Sequence, residues 1–541
     1  MQTQTSYDAV IIGAGHNGLT CAAYLGKAGL KVCLVERQPF VGGAAISREI
    51  FPGYKVSVAS YWMSLLQPKV MRDLELLDNG VEVIATPPTF QPFEDGRSVV
   101  FWPEQQRLVE EFARISPEDA AAYPAYEAHM SRLIVHIRRL VFETPVDPST
   151  ATIRGLLKSA GLGWRNRAAV PHLYDIWDLL TLSAHDFLGR WFKSDAILTI
   201  FGSYASGSAG MLSPKSPGSA YVLARPFLRD GATDMGPSGL VRGGMGAISD
   251  ALLTVARRHG ADLVTGRTVR SLVLGGDRAT GVRLDDGSEI TAPVIVSNAG
   301  AKATYFDLIG REHLEAETIG QVERHRTTSI AFKINLATHA LPRWTAYDER
   351  RLNAPDPGGV VLAENSGELE DAFHAALAGR ISPRPYLWIT TPSAFDDTVA
   401  PPGKHVVQIM GGHVPYRLAG REWDAAARQE LLDVVLAQIC RYAPGFDREV
   451  IDAQLLTPKD IEAMFTMADG HVHHGEMSLD QIFFRRPIAR YADYRTPLRG
   501  LYMCGAACHP GGGVTGVPGH NAAREILRDL GKPFPARRSD I

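Results

Sequence analysis

Three glycines and one carboxylate set out the first chemistry in this chain. Gly13, Gly15 and Gly18 form a G-x-G-x-x-G run, and Glu36 follows at close to the spacing (~20 residues) of an acid that binds a ribose 2′-hydroxyl. Gly13 lets the chain turn sharply off a strand, Gly15 lets backbone approach a pyrophosphate, and Gly18 lets a helix lie close to the strand. The unpaired N–H groups at the helix N-terminus then face the phosphates. An acid at Glu36 repels a 2′-phosphate, so the site suits an unphosphorylated ADP-ribose.

The elements that must hold these residues are readable around them. Ala9–Ile12 is a short β-branched run that suits a strand buried on both faces. Leu19, Ala22, Ala23 and Leu25 fall at helical spacing, and Gly29 fits the stop. Residues 32–35 form a second buried strand leading into Glu36. Just beyond Arg37 comes a second glycine pair, Gly42-Gly43, followed by Ala44. A nicotinamide-sized ligand would not need a second close approach of backbone; a longer dinucleotide such as FAD explains it.

A counterpart lies at the far end of the chain. Residues 501–504 read as a strand ended by Gly505, followed by Ala506, and the Gly516-Val517-Pro518-Gly519 run opens a helix over 520–530. Two such elements serve one cofactor only if head and tail meet, which makes the intervening chain an insertion. The expected organisation is a cofactor domain built from 1–80, 236–310 and 461–541, with a substrate domain of a helical part, 81–235, and a sheet part, 311–460. Within these, 73–77, 104–115 and 120–141 read as helices, 174–201 as buried helices, and 203–217 as a small-residue loop able to act as a cover. Residues 247–259 read as a helix, 262–264, 269–274, 281–284 and 290–296 as strands, 329–336 and 404–411 as strands of a second sheet, and 430–441 as a helix.

Composition narrows the class. The 541 residues are 45% hydrophobic and 21% charged with a net charge of −3, which gives no reason to expect a nucleic-acid partner. The five cysteines are an odd, sparse set, which points to a reducing compartment, and they include no CxxC pair, which argues against a dithiol centre. The first strand begins too early to leave room for a signal peptide, and no run of 18 apolar residues occurs. A cytoplasmic protein is expected, with surface attachment to a membrane left open. Two segments carry that option: residues 136–140, with Arg138 and Arg139, and the basic amphipathic stretch 154–167, with Trp164 among its charges. The second also suits the rim of a lipophilic entrance.

No catalytic base stands out. Tyr61, His509 and Glu476 are candidates by their nearness to motifs. His471, His473 and His474 with Glu476 match no standard zinc spacing, so no metal is expected. His16 is placed to orient the phosphate turn.

The run VIIGAGHNGLTCAAYL…VCLVE, the Gly42-Gly43-Ala44 triplet, GGMGAISDAL with VSNAG, and GAACHPGGGVTGVPGHNAA together resemble the phytoene dehydrogenase-related flavoproteins. The GAGHNG form and the segment from His474 through Glu476 to Asp480 resemble the branch with the pyridine nucleotide-disulfide oxidoreductase domain-containing protein 2 and the CrtO-type carotenoid ketolases. The resemblance implies an α/β fold: a Rossmann-type FAD-binding domain, amine oxidase and phytoene desaturase-like, with an interleaved α+β substrate domain. It implies non-covalent FAD, with Gly13, Gly15 and Gly18 at the pyrophosphate and Glu36, followed by Arg37, at the adenosine ribose. By the same resemblance Gly42 and Gly43 run along the ribityl chain with Ala44 after them, and Val269 meets adenine through its backbone. Gly505 and Ala506 lie near the pyrophosphate and ribityl, and Gly516 and Val517 near the isoalloxazine. Ala44 stands where many relatives carry arginine, which alters the charge balance near the flavin.

The function implied is an FAD-dependent oxidoreductase that dehydrogenates or ketolates a small lipophilic substrate, carotenoid or isoprenoid in type, by hydride transfer to flavin. A redox-neutral flavin-dependent isomerase and a flavin-binding regulatory protein without turnover are the alternatives, and the oligomeric state is open.

Overall fold

A computed structural model describes residues 5–150, 152–206, 210–227 and 239–535. In chain order its main elements begin with β1 (Ala9–Ile12), α1 (His16–Lys27) and β2 (Val32–Glu36), then β3 (Thr89–Pro92) and β4 (Ser98–Val100). Helices α2 (Pro117–Val141), α3 (Ile153–Arg165), α4 (Leu173–Thr181) and α5 (Gly246–Arg258) follow. Next come β5 (Asp262–Thr265), β6 (Val294–Ser297), β7 (Phe332–Thr338), β8 (Gly359–Leu362), β9 (Tyr386–Thr390) and β10 (His405–Gly412). The chain closes with α6 (Ala425–Tyr442), β11 (Val450–Leu456), β12 (Leu501–Met503) and α7 (Val517–Asp529).

The head and tail of the chain share one sheet. Its order is β5-β2-β1-β6-β12, with every neighbouring pair parallel. The first three residues of β1 and all of β2 are buried, as helices on both faces of a parallel sheet require. Helix α1 ends where the sequence says it must. Gly29 takes φ +83°, the Leu30 N–H donates to Leu25 O at 3.1 Å and the Gly29 N–H to Gly26 O at 2.8 Å, a Schellman closure that satisfies the last carbonyls. Helix α7 lies against α1 so closely that a Cβ on Gly519 would sit 2.2 Å from Asn17 O. That contact physically joins the two glycine elements.

The second sheet runs β11-β7-β10-β9-β8-β3-β4 and is antiparallel except where β8 meets β3. Leu431, Val435 and Ile439 of α6 pack on it. A helical layer with its own core, built on Phe112, Tyr126, Met130, Leu133 and Phe187, completes the molecule.

Several local expectations shift. The strand expected over 290–296 is two strands in two different sheets, Glu289–Thr291 and β6, because Pro293 carries no N–H and breaks the ladder between them. The helix expected at 73–77 starts earlier, as Pro68–Asp73, and Glu75 at φ +52° cannot continue it. The stretch 81–235 is not helical throughout, since β3 and β4 join the second sheet. The helices over 174–201 are not all buried: Tyr174 is 89% and Trp177 62% exposed. Residues 207–209 of the expected cover, and 228–238 around the expected boundary at 235, lie outside the described residues. No helix among the described residues is long and apolar enough to cross a membrane.

Candidate functional site

Both glycine elements open onto one cavity of about 1000 Å³, at the top of the roughly 300–1,000 Å³ range of small-molecule sites. Gly13, Gly15, Glu36, Arg37, Gly43, Ala44, Val269 and Ala506 are in its wall. Gly18, Gly42, Gly505, Gly516 and Val517 stand behind it, and the glycines there allow close packing. A Cβ on Gly18 would lie 2.3 Å from Gly13 O, one on Gly42 2.7 Å from Ala45 O, and one on Gly505 2.7 Å from Asn298 O. Gly516 takes φ +73° against Val70.

One end of the cavity is polar and built by backbone. Gly15 is the N-cap of α1 and offers no side chain to the free N–H groups. The second glycine pair closes onto the first: the Gly42 N–H donates to Ala14 O at 2.8 Å. Glu36, 8% exposed, accepts from the Ala14 N–H at 2.8 Å and the Gln38 N–H at 2.9 Å, which fixes its carboxylate at the end of β2. The Arg37 guanidinium donates to Met464 O at 2.8 Å and so ties this end to the segment after β11. Asn298, just after β6, is a residue that motif reading did not single out. A Cβ on Gly15 would meet its Nδ2 at 2.8 Å, so Asn298 fills the hollow that the glycines leave. His16 also faces the cavity, its Nε2 buried and without a hydrogen-bond partner. Burial, and then the charge of His474, lower its pKa to about 4, so the ring is neutral. An uncapped helix N-terminus, glycine backbone packed too closely to admit a Cβ, a fixed carboxylate and an orphaned ring nitrogen all fit a dinucleotide.

The other end is aromatic and built by side chains. Tyr61, Trp62, Leu65, Tyr204, Tyr386, Trp388 and Met410 line it. Trp62 and Trp388 meet edge to face with centroids 6.4 Å apart. At its base stands Lys333 of β7, 0% exposed, with no hydrogen-bond partner for Nζ, which lies 4.6 Å from the Tyr61 ring centroid. Burial drives its pKa well below the ordinary lysine value. A desolvated cation–π contact is worth ~2 kcal/mol or more, and burying an ion costs several, so burial favours the neutral amine. The sequence reading missed Lys333. Its one available signal was a lone lysine in an otherwise apolar run, FKINLA, whose depth depends on the fold.

Of the three base candidates, Tyr61 is in the wall. His509 and Glu476 are not: the His509 Nε2 is bound at 2.8 Å to Leu140 O, and Glu476 pairs with the Arg326 Nε at 2.6 Å. His473 and His474 reach the cavity and His471 does not. Among the described residues no group of three or more His, Cys, Asp or Glu side chains is placed to hold a metal ion.

A parallel sheet that brings glycine loops from both ends of the chain to one dinucleotide cavity, closed by a second sheet, defines an FAD-dependent oxidoreductase. The model of the flavin containing amine oxidoreductases matches residues 18–527, and the chain belongs to that family, whose cofactor is FAD. The pyridine nucleotide-disulfide oxidoreductase domain-containing protein 2 of Mus musculus is 38% identical over 97% of this chain and 94% of its own length. A limonene dehydrogenase polypeptide of Castellaniella defragrans is 27% identical over 97% and 95%, and a phytoene desaturase of Fusarium fujikuroi 25% over 96% and 89%. These bear out the resemblance drawn from the motifs. An oxidoreductase of Methanosarcina mazei shares the fold, with a TM-score of 0.61 at 19% identity over 96% of this chain and 99% of that one.

Proposed function

We propose that the protein oxidises a neutral, lipophilic molecule, isoprenoid in type, with FAD as the acceptor. The observation that carries this reading is the charge of the aromatic arm. Among the described residues the cavity wall holds two carboxylates, Glu36 and Asp307, and both fall with the nucleotide-end residues. The arm itself offers a cationic amine no carboxylate to pair with, and burial disfavours a positive charge there as it does on Lys333. A hydrocarbon fits the same walls without penalty. Limonene and phytoene, the compounds in the names of two relatives, are hydrocarbons and agree with this class.

When bound, FAD would supply the hydride acceptor. The chain would do the rest. Gly13, Gly15 and Glu36 would hold the nucleotide. Tyr61, Trp62, Tyr386 and Trp388 would exclude water and hold the reacting C–H in one orientation. In its neutral form, which burial favours, the Lys333 amine would offer a lone pair to the proton that leaves with the second C–H bond.

The test is anaerobic mixing of the flavin-loaded protein with a panel of neutral isoprenoids and of primary amines, followed by visible absorbance. Lasting bleaching by isoprenoids supports the proposal. Bleaching by amines alone overturns it, and product formed without bleaching would replace dehydrogenation by redox-neutral isomerisation.

A further inference from the structure

The strongest feature left unexplained lies on the outside of the helical layer. In α3, Ile153, Leu156, Leu157, Ala160 and Trp164 follow the i, i+3, i+4, i+7, i+11 spacing of an apolar helix face. Such a face normally turns to the core. Here it turns to water: Ile153 is 79% exposed, Leu157 68% and Trp164 69%. The pattern repeats at once. Val170, Leu173, Tyr174 and Trp177 recur at the same spacing across the 3-10 turn Arg167–His172 and α4, and each is at least half exposed. Other exposed large apolar side chains are scattered over the described surface and carry no such periodicity.

The charges along α3 and the 3-10 turn after it have one sign, and α4 adds Asp175 and Asp178. Lys158, Arg165 and Arg167 lie along α3 and the turn, and residues 152–174 hold no acid. Arg165 is partly offset by Glu143, at 3.0 Å, from the end of α2. The Arg167 guanidinium lies 4.4 Å over the Trp164 ring and donates to Trp164 O at 2.9 Å, so charge and aromatic are presented side by side. On α4, Asp178 is taken up by Arg190 at 2.6 Å, which leaves Asp175 as the acid nearest the stripe.

We propose that α3 and α4 lie in the interface of an anionic lipid bilayer, apolar stripe downward and basic flank against the headgroups. Trp, Tyr and Leu beside Arg and Lys is the composition of an in-plane interfacial segment. The alternative occupant, a second copy of this chain, is disfavoured by symmetry. A two-fold contact sets the same patch against itself, so Lys158 and Arg167 would meet their own counterparts. An anionic surface turns those charges from a cost into an attraction. The placement also suits the molecule, because Leu179 of α4 is buried in the layer whose neighbour Tyr204 reaches the cavity wall.

The test is co-sedimentation of the full, flavin-loaded chain with phosphatidylcholine vesicles, with and without phosphatidylglycerol. The expected result is binding to the anionic vesicles that weakens as salt screens the charges. Leu157→Asp/Trp164→Asp should cut partitioning by about a hundredfold while the flavin spectrum stays unchanged. Lys158→Glu/Arg167→Glu should remove the salt-dependent part. Failure of the wild type to bind any vesicle overturns the proposal, as does a Leu157→Asp/Trp164→Asp variant that binds like the wild type. A wild-type dimer that the same double variant turns into a monomer overturns it in favour of the second copy.

Discussion

Replacing Lys333 by methionine isolates the consequence of burying an amine without a partner. The two side chains have similar length and flexibility, so the change deletes a charge site and little volume. Lys333 is 0% exposed and Nζ has no hydrogen bond. Relieving one buried, unsatisfied polar group is worth ~1–3 kcal/mol. With an unfolding entropy near 2.1 cal/mol/K per residue over 541 residues, that is an upward shift in melting temperature of ~1–3 °C near the ordinary lysine pKa of ~10.4, and more below it. The shift should also depend on pH. The folded-state pKa lies below the ordinary value of ~10.4. Between the two, the unfolded chain binds a proton that the folded chain refuses, so wild-type stability rises with pH through that window by up to ~1.4 kcal/mol per unit. The methionine variant lacks this term. The gap in its favour should therefore be largest near neutral pH and shrink as the pH climbs towards about 10. Differential scanning fluorimetry of the flavin-loaded pair measures both quantities. With an accepted substrate, the variant should lose kcat with little change in KM. A variant that melts lower than the wild type, by a margin that ignores pH, would mean that the lysine is charged and satisfied, and the role given to it would fall.

Gly15→Ala should weaken flavin retention, since its Cβ meets Asn298 Nδ2 at 2.8 Å, and Asn298→Ala should restore the fold of that variant by vacating the space. Gly18→Ala should not be rescued in this way, because its first contact is the backbone oxygen of Gly13 at 2.3 Å; equal rescue of both, read by melting temperature, would refute the packing described. Glu36→Ala should cost ~1–3 kcal/mol through the unpaired N–H groups of Ala14 and Gln38 as well as lowering flavin occupancy. A wild-type flavin content in that variant would remove Glu36 from the site. Acid should also destabilise the protein. His16, His325, His413, His471, His474, His509 and His520 have pKa values lowered by burial to about 3 or 4. Below ~6.5 the unfolded chain gains protons that these folded rings refuse, each taking up to ~1.4 kcal/mol per pH unit from stability. A flat melting temperature from pH 7 to about 5 would contradict that.

The two ends of the cavity differ in how far the sequence reveals them. At the nucleotide end, the constraints are on backbone. Gly13, Gly42 and Gly43 take φ between +58° and +118°, and a motif of glycines at set spacing, followed by an acid at the end of a strand, records such constraints directly in the residue types. Even the meeting of head and tail is implied there, because each glycine element needs a partner for the rest of one ligand. At the substrate end the constraints are on side chains from β7, β9, β10 and the 57–66 stretch, brought together by pairing over hundreds of residues. Trp388 or Lys333 in isolation looks like any strand residue. Residues 290–296 fail for a related reason: hydrophobicity reports burial, not which of two sheets provides it, and Pro293 was the only mark of the change.

The outward stripe of α3 and the buried Lys333 are opposite violations of one rule, and the rule explains why both bear on function. Apolar surface left in water and a polar group taken out of it each oppose folding. Neither is fully compensated among the described residues: the stripe meets no core, and Nζ has no hydrogen-bond acceptor and only the Tyr61 ring beside it. In the two proposals the partners come from outside, a bilayer for the first and a substrate proton or a water molecule for the second. The two sites should accordingly respond in opposite senses to their variants. Leu157→Asp/Trp164→Asp should leave the melting temperature unchanged or higher and remove vesicle binding, whereas Lys333→Met should raise the melting temperature and remove turnover with vesicle binding intact.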